Sequence, residues 1–242
     1  MKKKLPAWAP ADTPGHFLKH ADEQTVMAVS AVDQAIESAQ LDIKELQNWS
    51  VIAAPRFIGR TAGTATLERF GRGGGPAISP HLIPQHSLHS ISGALSILLS
   101  TRLPNFGVGG TGESLTEGLL ATLTFPAGGR TGTLLVATSW EPEPQLDDQG
   151  NCTNSPVCHA VALALQTAAP SMNCGRLSLT VGESTAKPHN AAMASTSAAD
   201  LATALTALTP GGPAHFLAWR LPWGATLQLE VRQAIGKIAA AA

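Results

Sequence analysis

From residue 22 to residue 166 short apolar stretches alternate with stretches of helical period, and that alternation limits the fold more than any other feature of the chain. Strands separated by helices require a layered α/β arrangement, because each helix must bury its apolar stripe on a sheet. Asp22 is a fitting N-cap for a helix running to Ala39, with Val26, Val29, Val32 and Ile36 on one face. Ser50-Val51-Ile52-Ala53-Ala54 predicts a short buried strand, and residues 59–70 a weaker helix. Arg72-Gly73-Gly74-Gly75-Pro76 has loop composition. A second helix is expected over His86 to Ser100, a short strand over Phe106 to Gly110, and a third helix over Glu113 to Thr124. Thr133 to Ser139 predicts a strand, and residues 142–155 a polar loop.

Beyond that point the pattern changes. Val157 to Leu165 and Leu177 to Val181 predict strands joined by a turn near Pro170. Residues 182–195 are small and polar, Ala198 to Leu208 predicts a helix, and His215 to Arg220 with Thr226 to Val231 predict a hairpin around Pro222 and Gly224. No repeat of solenoid period occurs.

At 242 residues the chain can bury a core without disulfide or metal staples. Its net charge of −1, without a basic stripe, argues against nucleic acid as a partner. Met1-Lys2-Lys3-Lys4-Leu5-Pro6 lacks the apolar stretch of a signal peptide, and no apolar run reaches the ~18 residues of a membrane span. A cytoplasmic location follows as an expectation, with Cys152, Cys158 and Cys174 as reduced thiols. Only 14% of residues are charged. Charge is what discourages association, so this composition fits a permanent interface or a drift toward Ala, Gly, Leu and Thr.

The motifs that could carry chemistry fall short of it. Gly107-Val108-Gly109-Gly110-Thr111-Gly112 matches the dinucleotide fingerprint in spacing, but Pro104 precedes it and no acidic residue lies in 120–140. The expectation is a tight strand-to-helix turn and no bound cofactor. Cys152 and Cys158 do not have zinc-ligand spacing, and Cys158 and His159 would point to opposite faces of a strand. His81, His86 and His89 gather near a helix start, with His86 and His89 one turn apart, but no acidic residue between 71 and 112 supports a metal site. No nucleophile elbow or P-loop is present.

Two stretches carry a family resemblance: Ile78-Ser79-Pro80-His81-Leu82-Ile83-Pro84-Gln85-His86-Ser87-Leu88-His89-Ser90-Ile91-Ser92-Gly93-Ala94-Leu95 and Leu103-Pro104-Asn105-Phe106-Gly107-Val108-Gly109-Gly110-Thr111-Gly112-Glu113-Ser114. They resemble the N-terminal half of the β-ketoacyl synthases of the thiolase-like fold. There a helix rich in small residues packs at a dimer interface, and a Pro-Asn turn leads into the strand that ends at the nucleophilic cysteine. The resemblance covers residues 20–140, extends to 166 and is lost beyond. It implies a ketosynthase-like N-terminal domain over 1–166, equivalent to the N-terminal half of the fold only, and a small C-terminal α/β lobe over 167–242.

The departures decide what function the resemblance implies. Gly112 stands where the family has its cysteine, Ser114 lies two residues on and would point elsewhere, and neither a His-Gly-Thr nor an Asn-Ser-Phe-Gly motif occurs. The chain also ends at Ala242, short of the family's usual length. The sequence therefore looks like a cysteine-less ketosynthase homologue of the chain length factor type. Such a subunit has no chemistry of its own and pairs with an active ketosynthase in polyketide or fatty acid biosynthesis, here similar to aryl polyene or xanthomonadin-type systems. The resemblance places a partner or tunnel contact on Leu82, Gln85, Leu88 and His89, with Phe106 at the edge of the interface. Two other readings stay open. One is an independent acyl transferase or hydrolase using Cys158 and His159. The other is a module binding acyl carrier protein through Arg56, Arg60, Arg69 and Arg72.

Overall fold

The computed structural model describes residues 4–80, 82–109, 113–125, 131–166, 175–180, 192–193, 197–207, 215–221 and 223–231. Helix α1 (Glu23–Ala39) starts where the Asp22 carboxylate accepts from the Gln24 amide, and it closes on Gln40 in the left-handed region. A single turn, α2 (Ile43–Leu46), capped by Asp42, leads into β1 (Trp49–Arg56). Helix α3 (Arg60–Gly73) follows, then a 3-10 turn (Gly75–Ala77), α4 (Leu82–His86) and α5 (His89–Leu98). The chain continues through β2 (Asn105–Gly107), α6 (Ser114–Thr124), β3 (Gly132–Glu141) and β4 (Val157–Gln166). Past residue 166 come β5 (Gly175–Thr180), β6 (Ala192–Met193), α7 (Ala198–Thr206), β7 (His215–Arg220) and β8 (Thr226–Val231).

The first sheet has the order β2-β1-β3-β4, with β2 and β3 parallel to β1 and β4 antiparallel to β3. The central strands β1 and β3 are buried on both faces, which is why their sequences read as continuous apolar runs. Successive side chains divide between two cores. Val51, Ala53, Leu134 and Val136 pack with Val29 and Val32 of α1 and Ile91 and Leu95 of α5. Ile52, Ala54, Leu135 and Ala137 pack on the other side with Leu115 and Leu119 of α6 and Leu201 of α7.

That second core also holds Trp219, Leu221, Ala225, Leu227 and Leu229 from the C-terminal sheet, whose order is β5-β8-β7-β6. The layers therefore run helices, sheet, helices, sheet. The C-terminal lobe shares its core with α6 and α7. The 215–231 hairpin forms as its sequence predicts.

Three local expectations are corrected. The helix expected over 86–100 is two helices, because the Ser90 hydroxyl accepts from the Ser87 amide at 2.8 Å and donates to the Ser87 carbonyl at 2.7 Å. Such side-chain bonding ends one helix and starts the next. The helix break brings the Leu88 carbonyl against Gly107, where any β-carbon would overlap it. The strands before and after Pro170 belong to different sheets, and Pro170 itself lies outside the described residues. The short strand ends at Gly107, although Val108 still donates to the Ala53 carbonyl.

Candidate functional site

Open parallel sheets bind ligands and partners beyond the carboxyl ends of their strands. Here that end is held by a buried polar chain. Gln24 on α1 is fully buried; its amide nitrogen donates to the Arg56 carbonyl at 3.0 Å, and its oxygen accepts from the Thr138 hydroxyl. One residue before α1, Asp22 uses its second oxygen to accept from Nδ1 of His86 at 3.0 Å. The end of α4 is thereby tied to the start of α1. Among the described residues nothing in the local sequence signals this pairing, because the partners stand 64 positions apart.

The five residues predicted as partner or tunnel contacts fall into two groups. Leu82 and Gln85 on α4 line an open cleft of about 290 Å³ together with His20, Arg69, Ser79 and His86. Leu88, His89 and Phe106 gather at the sheet edge instead. The His89 ring lies over Gly93, within 3.3 Å of the position a β-carbon would take there, and its Nδ1 is 3.3 Å from the Ser92 hydroxyl. Phe106 on β2 stacks at a tilt on Phe125, ring centroids 5.0 Å apart. Sequence reasoning missed Phe125, as well as His20 at the cleft. Nearby on α5, Ile97 is exposed. His86 and His89, expected on one helix face, sit on different helices with different partners. Gly112 and His81 lie outside the described residues.

Cys158 faces α1, while His159 is one residue on and so on the opposite face of β4. Burial pushes the Cys158 thiol up to about 12, and the charges of Asp22 and Glu23 push in the same direction. A thiol in that state supplies almost no thiolate at neutral pH. Cys152 is exposed in the 142–156 loop, where its thiol lies 3.1 Å from the Asn154 side chain. In that loop Asp147 is held below the usual carboxylate range, chiefly by the Asn151 amide.

Of the four clustered arginines, Arg56 lies 3.8 Å from Glu141, Arg60 pairs with Glu143 and Arg72 pairs with Glu68 at 3.0 Å. Arg56 and Arg60 also flank the ring of Phe57, whose φ of 63° is rare for a bulky residue. The charge that would have made a basic patch is therefore largely matched. Among the described residues, no group of three or more His, Cys, Asp or Glu side chains is placed to hold a metal ion. No helix there is long and apolar enough to cross a membrane.

No family model and no curated protein matches the sequence. Solved structures do match its shape. The chain is similar to a chain in the complex of the ketosynthase ApeO with its chain length factor ApeC from Xenorhabdus doucetiae, with TM-score 0.55 and 16% identity, covering 91% of this chain and 82% of that one. It is similar to a chain in AntDE:AntF, described as a type II PKS acyl-carrier protein in complex with its ketosynthase bound to the hexaketide, with TM-score 0.58 and 12% identity, covering 92% and 88%. A third similarity is to the ishigamide ketosynthase/chain length factor, with TM-score 0.50 and 13% identity, covering 90% and 82%. The shared fold is thus the layered, thiolase-like one. A match over 91% of the chain reaches well past residue 166, where the sequence resemblance ends.

Proposed function

From a fold shared with chains of ketosynthase assemblies, we propose that this protein is a chain length factor-like subunit. On this reading it pairs with an active β-ketoacyl synthase in polyketide or fatty acid biosynthesis and performs no condensation itself. The observation that carries the reading is the shape match along nine-tenths of the chain to components of ketosynthase–chain length factor complexes. The sheet edge supports it. β2 has a single strand neighbour among the described residues, and an exposed strand edge is a template for pairing with another chain. Pairing there would extend the first sheet across a heterodimer, with α5 alongside.

Leu82, Gln85, Leu88, His89 and Phe106 are the proposed contacts with the partner or its acyl tunnel. Gly112, at the family's nucleophile position, would supply no sulfur. An apolar tunnel floor limits chain length by excluded volume, since overpacking costs roughly 1–3 kcal/mol. The division into a 1–166 ketosynthase-like part and a 167–242 extension, the cytoplasmic location, an aryl polyene-type pathway and an encounter with acyl carrier protein belong to the same proposal. Independent acyl transfer by Cys158 and His159 finds less support, because the thiol is held protonated and the imidazole faces away.

Co-purification from the native host tests the reading. A full-length ketosynthase at one-to-one stoichiometry is the expected result; a lone monomer or homodimer would sink it. In the reconstituted pair, Leu88→Phe should shorten the products, and unchanged product lengths would remove Leu88 from the tunnel.

A further inference from the structure

The cleft between α3, α4 and the N-terminal segment has a composition that pairing through the sheet edge does not explain. Its lining is His20, Arg69, Ser79, Leu82, Gln85 and His86. Among the described residues it contains one guanidinium, two imidazoles, a hydroxyl and an amide, and no carboxylate. We infer that this cleft is a binding site for a small oxyanion, either a short carboxylate or a phosphate monoester.

Charge balance is the first support. Arg56, Arg60 and Arg72 each have a glutamate within ion-pair reach, whereas Arg69, on the same helix as Arg60 and Arg72, has no carboxylate partner among the described residues. A guanidinium presents paired N–H donors in a fork that fits two oxygens of a carboxylate or phosphate at once. An unmatched arginine over a concave surface therefore attracts an oxyanion that its neighbours, already neutralised, do not.

The second support is the way His86 is held. The side chain of Asp22 is 4% exposed and its oxygens are committed, one to the Gln24 amide at 2.9 Å and one to Nδ1 of His86 at 3.0 Å. A carboxylate only accepts, so Nδ1–H donates to it, and the ring's remaining nitrogen, Nε2, is the one left for the cleft. A carboxylate behind the ring fixes its orientation, and an oxyanion in front of it would accept from the nitrogen that Asp22 leaves unused. The arrangement is a positioned donor backed by a buried acceptor, anchored through Gln24 to β1 and β3.

Size sets the ligand. Drug-sized sites run from about 300 to 1,000 Å³, so a cleft of about 290 Å³ takes a small molecule or the end of a larger one. Leu82 gives one apolar wall, which suits an oxyanion carrying a few carbons. The inference goes beyond the partner-subunit reading, which turns two of the lining residues, Leu82 and Gln85, toward the partner; a titration of the chain alone tests it separately.

The test is a titration of the full chain, labelled at histidine, following the imidazole C–H resonances of His20 and His86. Sodium phosphate is added in one arm and sodium butyrate in the other, with chloride holding ionic strength constant. Saturable shifts of both rings in at least one arm are expected, and the tighter arm identifies the class. Arg69→Gln should weaken that binding by about tenfold or more, the loss expected for one charge-assisted hydrogen bond. Arg72→Gln, which removes an exposed and already paired charge, should leave it within about twofold. Shifts that never saturate in either arm overturn the site, and so does equal binding by the Arg69→Gln and Arg72→Gln variants. The cleft would then be a seat for an acidic side chain of a protein partner.

Discussion

Helices α1 and α3 both have an apolar stripe, yet they are held in opposite ways. α1 buries seven of its 17 residues against β3, β4 and α5 and sends Gln24 into the carboxyl ends of the strands. α3 buries none of its described side chains. It is held at its margins: Arg60 to Glu143, Gly150 against Thr64 and Glu68, and Gly59 against the His86 carbonyl. A 14-residue helix is marginal by itself in water, so these contacts and whatever covers its outer face decide whether it persists. That outer face carries Leu67 at 72% exposure and Phe70 at 52%, nearly one turn apart. One helix is there to complete this chain's core; the other offers a surface that the described residues leave open.

The contrast is most sharply tested at Trp49. Its indole is 1% exposed in the α1 core and lies so close to Gly132 that a β-carbon there would strike it. Trp49→Ala should cost about 3–5 kcal/mol, read as a fall in the urea midpoint. A loss under about 1 kcal/mol would mean that the α1 side is no better packed than the α3 side.

The two described cysteines extend the comparison to chemistry. Cys158 lies under the start of α1, while Cys152 is exposed in the loop that braces α3. At pH 8 iodoacetamide should modify Cys158 at least about a hundredfold more slowly than Cys152, because each unit of raised pKa removes tenfold of the thiolate. The linkage has a definite sign. A thiol raised from its ordinary 9.0 to about 12 is more readily deprotonated in the unfolded chain. Its contribution to stability is therefore complete below about pH 9 and lost as pH rises toward 12. Cys158→Ala should flatten that alkaline loss; an unchanged alkaline profile would show that the thiol is not buried against α1.

The α1 half of this contrast was partly legible in the sequence. Asp22 marked the cap, and Val29, Val32 and Ile36 marked the buried face. Gln24 and Thr25 turned out buried while Val26 is only partly so, because the face is rotated toward Arg56 and Thr138, which lie 32 and 114 positions from Gln24. Polar residues pass as surface until such distant acceptors are known. α3 was predicted as a helix, but periodicity reports that a stripe exists and not whether anything covers it. The cleft was invisible for a similar reason. His20, Arg69 and His86 come from three segments with no shared spacing, and the expected pairing of His86 with His89 was undone by the Ser90–Ser87 bonds.

The smallest effect on the chain itself is expected at the open helix. Replacing Leu67 and Phe70 by serine removes exposed apolar surface and no packing within this chain. Its stability should therefore stay within about 0.5 kcal/mol, the usual range for surface substitutions away from special features. If a ketosynthase closes the α3 face as well as the β2 edge, the same double variant should retain much less of that partner in co-purification. Loss of partner at unchanged stability would assign α3 to the interface. A stability loss above about 2 kcal/mol would mean that this chain itself covers Leu67 and Phe70, and the difference between α1 and α3 would collapse. Unchanged stability with unchanged partner recovery would confine the interface to β2 and α5, where Phe106 and Ile97 then carry it.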